Sequence, residues 1–130
     1  MALKLKPDDH AAWNNRGIAL YKSGSYEDAI ASYDKALQFK PDYHEAWHNR
    51  GNALADLGRY EDAIASYDKA LQFKLDDHEA WYNRGNALAD LGRYEDAIAS
   101  YDKALQYKPN EPLYLKWRDK ALDKLNNSSK

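Results

Sequence analysis

Residues 42–75 read DYHEAWHNRGNALADLGRYEDAIASYDKALQFKL, and the parsing of this stretch decides the fold. Trp47, Gly51 and Leu54 follow at spacings of four and three, which puts them on one helical face. Gly58 ends that segment, since glycine enters the left-handed region without steric cost. Ala63, Ile64, Tyr67, Ala70 and Leu71 then form a second helical stripe that closes at Lys74. Asp42 followed by Glu45 has the spacing of a helix-start capping box. The stretch therefore reads as a helical hairpin.

Shifting the chain by 34 residues aligns 8–41, 42–75 and 76–109 without a gap; the second and third blocks agree at 30 of 34 positions, the first and third at 26 of 34. A period of this size signals stacked hairpins, each too small to fold alone and stabilised by its neighbours. Asp76 and Glu79 repeat the capping box, whereas the first unit has Ala11 in the second place. Gly17, Gly51 and Gly85 fall mid-helix, where each costs about 1 kcal/mol relative to alanine. Their recurrence demands a packing reason, and close approach of helix backbones with Ala29, Ala63 and Ala97 as small partners supplies one. The expected helices are 10–22, 26–40, 44–56, 60–74, 78–90, 94–107 and 112–125.

Working outward, residues 1–7 match the end of a unit in phase and read as the remnant of a preceding repeat. After Pro109 the first-helix stripe persists through Leu115, Arg118, Ala121, Leu122 and Leu125, so 110–125 reads as a capping helix. Lys116, Lys120, Asp123 and Lys124 are expected on its polar outer face, with 126–130 as a disordered tail. Across the 130 residues, 19 Lys and Arg oppose 21 Asp and Glu, which leaves no basic excess for nucleic acid or an anionic membrane. The chain has no cysteine, hence no disulfide or thiolate site. No apolar run suits a signal peptide or a membrane span, so a soluble cytoplasmic protein is expected.

Trp13, Gly17, Leu20, Ala29, Tyr33, Ala36 and Pro41, with their counterparts in the next two units, resemble the tetratricopeptide repeat signature over residues 8–109. The resemblance implies an all-α superhelix of about seven antiparallel helices, right-handed, whose first helices line a concave groove. In that family a leucine usually stands where Arg16, Arg50 and Arg84 stand here, so the resemblance places these guanidiniums beside the core, in need of partners, for which Asp34 and Asp68 are candidates. Leu75 replaces the closing proline, so the second-to-third junction is expected to be less stiff or its helix a residue or two longer.

Constellations with catalytic or metal-binding potential dissolve against the repeat. His44-Glu45-Ala46-Trp47-His48 fits the HExxH pattern of zinc hydrolases. The sibling units carry Asn14 and Tyr82 in place of His48, and no third ligand is near, so the match reads as coincidence; two exposed imidazoles could still share an adventitious ion. Ser32, Ser66 and Ser100 read as solvated helix serines, and the recurrent tryptophans and tyrosines as hairpin core. No catalytic residue, cofactor or resident metal is expected.

The functional candidate is the groove that the resemblance implies. Mapped onto it are Asn14, Asn15, Ile18, Tyr21 and Lys22 in the first unit, then Glu45, His48, Asn49, Asn52 and Asp56, then Glu79, Tyr82, Asn83, Asn86 and Asp90, with Trp117 at its end. Chaperone-binding members clamp a terminal carboxylate with lysines and an arginine. Asn14 and Glu79 occupy two of the lysine places here and Asn83 the arginine place, only Asn49 fitting, so that clamp is excluded. The row of asparagines offers both donors and acceptors to an extended peptide, and also suits bonds between adjacent helices or to water. Glu45, Asp56, Glu79 and Asp90 favour a basic or neutral segment over an acidic one. The leading expectation is a non-catalytic peptide- or protein-binding scaffold, with weak self-association through the N-terminal edge. The alternative is a structural array that assembles end to end without a dedicated ligand, which the near-identity of units two and three favours.

Overall fold

The computed structural model describes residues 9–128, so the expectation for residues 1–7 lies outside them. The described residues form seven helices: α1 (His10–Lys22), α2 (Tyr26–Phe39), α3 (His44–Asp56), α4 (Tyr60–Phe73), α5 (His78–Asp90), α6 (Tyr94–Tyr107) and α7 (Pro112–Ser128), with no strand among them. Each first helix packs on the second helix of its unit, and each second helix on the first helix of the next. α1 also touches α3, α3 touches α5 and α5 touches α7, while α2, α4 and α6 do not meet one another. First helices converge and second helices splay, so the array bends with α1, α3, α5 and α7 on its inner side.

The hairpin turns follow from glycine chemistry. Gly58 has φ 78°, the Arg59 amide donates to the Leu54 carbonyl at 2.9 Å, and the Gly58 amide donates to Ala55 at 2.9 Å. This paired closure satisfies carbonyls that the helix end leaves open.

Helix starts differ from the expected capping boxes. The N-cap positions are Asp9, Tyr43 and Asp77, one residue later than Asp42 and Asp76. Asp9 accepts from the Ala12 amide at 2.9 Å and Asp77 from Ala80 at 3.2 Å, whereas Tyr43 makes no side-chain cap. The second unit starts its helix without that bond because tyrosine has no short side-chain oxygen to accept the amide; its ring packs beside Ala36, Leu37 and Ala46.

The recurrent glycines meet a different partner from the one expected. A Cβ on Gly51 would stand 2.6 Å from Tyr67 Cε1, and one on Gly85 2.6 Å from Tyr101 Cε1. The tyrosine of the same hairpin, not the alanine, occupies the space that a side chain would need. Tyr67 and Tyr101 are almost fully buried, and their rings pack into the space left by the missing side chain.

Arg50 donates to Asp34 at 2.8 Å and Arg84 to Asp68 at 2.7 Å, the partners expected, and Arg118 repeats the pattern with Asp102. Each of the first two also reaches a serine of its own unit: Arg50 to Ser66 at 2.8 Å and Arg84 to Ser100 at 2.6 Å, as Arg16 does to Ser32 at 2.9 Å. The serines are therefore buried acceptors and not solvated side chains, since a guanidinium satisfies each hydroxyl in the core. The arginine thus ties its own hairpin to the preceding one.

α4 ends at Phe73 as α2 ends at Phe39, so Leu75 does not lengthen the helix. The Trp81 indole donates to the Leu75 carbonyl at 2.8 Å, as Trp47 does to Pro41, and this bond holds the junction whichever residue closes it. α7 runs to Ser128, three residues beyond the expected end, taking Asn126 and Asn127 into the helix.

Candidate functional site

The inner side presents an open cleft of about 510 Å³ between α1, α3, α4 and α5. Tyr21, Asn52, Asp56, Asn83, Asn86 and Asp90 line it from the first helices, and Tyr60 and Tyr67 reach it from α4. Positions four apart on a helix share a face, which is why Asn52 and Asp56, and Asn86 and Asp90, come to one wall. Sequence reasoning assigned Tyr67 wholly to the core, and its hydroxyl end escaped notice. The signal available was that a buried tyrosine needs a partner for its O–H.

That partner is Asn52: the Tyr67 hydroxyl donates to Asn52 Oδ1 at 2.6 Å, and Tyr101 donates to Asn86 Oδ1 at 2.6 Å. Burial holds both phenols far above their ordinary pKa, so they remain donors throughout the working pH range. The Tyr21 hydroxyl bonds Asp56, which fixes that carboxylate at the rim between the first and second units. Burial raises the carboxyl pKa of Asp90.

The asparagines are engaged with one another. Asn49 donates to Asn14 Oδ1 at 3.2 Å, and Asn14 is buried. Asn83 Nδ2 donates to Asn52 Oδ1 at 3.2 Å and to His48 Nε2 at 3.1 Å. His48 then carries its proton on Nδ1 and donates to Asp77 Oδ2 at 3.0 Å. Asn49 and Asn83 thus bridge consecutive first helices. Asn15, Glu45 and Glu79 are exposed, while Tyr82 stacks on Tyr114 of α7 with ring centroids 4.7 Å apart. Trp117 is 36% exposed and lines a separate cleft beyond Asp90.

His44 and His48 do not form an exposed pair. The His48 side chain is only 13% exposed and both ring nitrogens are engaged, so it is not poised to share an ion with His44. Among the described residues no group of three or more His, Cys, Asp or Glu could hold a metal, and no helix is long and apolar enough to cross a membrane.

Asp77 joins this network to the helix cap. Burial by itself would raise its carboxyl pKa, but the hydrogen bonds from His48 and the Ala80 amide outweigh burial and hold it below the usual range. A carboxyl lowered on folding stabilises fully above its unfolded value of about 4, and the contribution is lost as pH falls through the lowered folded value. Asp77→Asn keeps a capping oxygen and removes the charge, so it should lower the melting temperature at pH 7, with the difference shrinking as pH falls below about 4. Asp77→Ala loses the cap as well, about 1 kcal/mol more. A melting difference for Asp77→Asn that does not change with pH would contradict the charge assignment.

A family model described as tetratricopeptide repeat matches residues 48–112, half of the chain, and a second, described as TPR repeat, matches residues 19–58. No curated protein matches the chain by sequence. Among solved structures, the first TPR of Spaghetti (RPAP3) bound to HSP90 peptide SRMEEVD superposes with a TM-score of 0.87 at 23% identity, covering 94% of this chain and 99% of that one. The first TPR domain of human RPAP3 gives 0.90 at 23% identity over 95% and 98% of the two chains. The Arabidopsis OM64 TPR domain gives 0.84 at 23% identity over 88% and 95%.

Proposed function

Because the chain belongs to the tetratricopeptide repeat family, we propose that it is a non-catalytic scaffold that holds an extended peptide or partner segment against its concave wall. The observation that carries this reading is the open inner cleft, walled by Asp56 and Asp90 and floored by tyrosine and asparagine. Aromatic faces give a ligand contact area at low entropic cost, and the carboxylates give it a sign. Asn83 commits both N–H groups to its neighbours, so the asparagine row acts chiefly by bracing the wall, and Asp56, Asp90, Glu45 and Glu79 select the segment. A basic or neutral segment is favoured and an acidic one repelled from this part of the groove.

The use of this fold to hold a peptide has support in the RPAP3 structure bound to HSP90 peptide. The ligand need not be shared, since Asn14, Glu79 and Asn83 leave the groove without the cations of a carboxylate clamp. The test uses a fluorescein-labelled, acetylated and amidated peptide of alternating lysine and leucine. Asp56→Asn with Asp90→Asn should weaken its binding by roughly tenfold, because two exposed ion pairs contribute up to about 1 kcal/mol each. Unchanged affinity would remove the carboxylates from the site. The alternative, an array assembling end to end without a ligand, draws on the near-identity of units two and three; sedimentation rising with concentration, with no peptide binding, would favour it.

A further inference from the structure

The concave wall changes character where it reaches α7. A cleft of about 270 Å³ lies there, lined among others by Asp90, Tyr94, Trp117, Lys120, Ala121 and Lys124. Subtracting the 34-residue period from the α7 residues returns the main cleft: Trp117 stands where that cleft has Asn83, Lys120 where it has Asn86, and Lys124 where it has Asp90. Thus the same place in the fold is built once from amides and a carboxylate and once from an indole and ammonium groups. Lys120 Nζ lies 4.7 Å from the Trp117 ring centroid and Lys116 Nζ 5.7 Å, so two cations lie over one aromatic ring. These lysines were expected on an outer polar face; the structure brings Lys120 and Lys124 to the groove side.

We propose that this end of the wall is a subsite for an acidic side chain with an apolar neighbour, both on the partner segment that the main cleft holds. The inference rests on that reading of the groove and adds a polarity to it: the segment is basic or neutral over α3 and α5 and acidic where it passes α7. Trp117 offers an apolar surface: it is large, rigid and 36% exposed, the profile of an interface anchor. Lys116 and Lys120 are exposed beside it and set the sign of what binds there. A cationic ligand is disfavoured because ammonium groups already occupy the ring's surroundings. Nucleic acid would also bring negative charge to an aromatic ring, but its continuous phosphate backbone would have to pass Asp90 in this cleft. An isolated acidic side chain avoids it.

The indole N–H signals of the ¹⁵N-labelled full chain test this, with the Trp117 signal identified by its disappearance in Trp117→Phe. An acetylated, amidated peptide of alternating glutamate and leucine should shift the Trp117 signal saturably while those of Trp13, Trp47 and Trp81 stay in place. Lys116→Glu with Lys120→Glu should weaken that titration about tenfold, as reversing two exposed charges implies. Both lysines are exposed, so the fold survives; Lys120→Gln, with a smaller loss in the same direction, provides a milder check. A still Trp117 signal overturns the proposal, as does an equal shift from the matched lysine and leucine peptide or from oligodeoxythymidine. The two readings fail separately. Loss of the α7 subsite alone leaves the lysine peptide still moving the Asn52 and Asn86 side-chain signals, whereas failure of the groove reading leaves those unmoved whatever Trp117 does.

Discussion

Replacing Gly51 with leucine should cost about 3 kcal/mol or more, beyond the usual range for an overpacked core, while the same change at Gly58 should cost about 1 kcal/mol. Even the first carbon of a side chain at Gly51 would stand 2.6 Å from Tyr67 Cε1 and 2.8 Å from Cδ1. Tyr67 is 1% exposed, and its hydroxyl is bonded to Asn52, so the ring has no room to step aside. Either the tyrosine leaves its site or α3 separates from α4. At Gly58 a Cβ meets nothing within 4 Å, and the cost is confined to holding a non-glycine residue at φ 78°. Denaturant midpoints of the two variants decide the matter: equal losses would contradict the close approach of Tyr67 to the α3 backbone.

Leu54→Ala should be comparably damaging, at about 3 kcal/mol, because it combines lost burial with a cavity. Leu54 is fully buried in a cluster with Ala29, Ile30, Tyr33, Ala63, Tyr67 and Ala87, residues drawn from three consecutive units. Its truncation therefore weakens both the hairpin and its stacking, and in an array stabilised by nearest neighbours the unfolding transition should broaden as well as shift. Leu75→Ala is the control: at 60% exposure it should change stability by no more than about 0.5 kcal/mol. Comparable losses for the two variants, followed by circular dichroism during thermal unfolding, would mean that the core does not bridge the units as described.

The helices were legible because two independent signals coincide, a 34-residue period and a hydrophobic stripe ended by glycine. Caps were misplaced by one residue for a physical reason. Asp8-Asp9 and Asp76-Asp77 each offer two adjacent acids, and only the backbone angles at the helix start decide which one accepts the amide. Ser66 lies between the buried face and solvent on a helical wheel, so its fate depends on Arg50, which arrives from the other helix of the hairpin. The position of Asn83 on the inner wall was readable, but not its role. Its partners His48 and Asn52 are 35 and 31 residues away, and side-chain rotamers choose between bracing the wall and meeting a ligand. Lys120 shows the limit of reading a cap by analogy, since a polar residue on a terminal helix can face the groove as well as the outside.

Backbone amide shifts of the ¹⁵N-labelled chain, titrated with the capped lysine and leucine peptide, test the central claim most directly. If the concave wall holds the segment, saturable shifts will cluster on the inner faces of α1, α3 and α5, with Asn52, Asp56, Asn86 and Asp90 among the largest, and will weaken as salt screens the carboxylates. Shifts spread over the outer faces of α2, α4 and α6, or a matched glutamate and leucine peptide moving the same α3 and α5 signals more strongly, would contradict it.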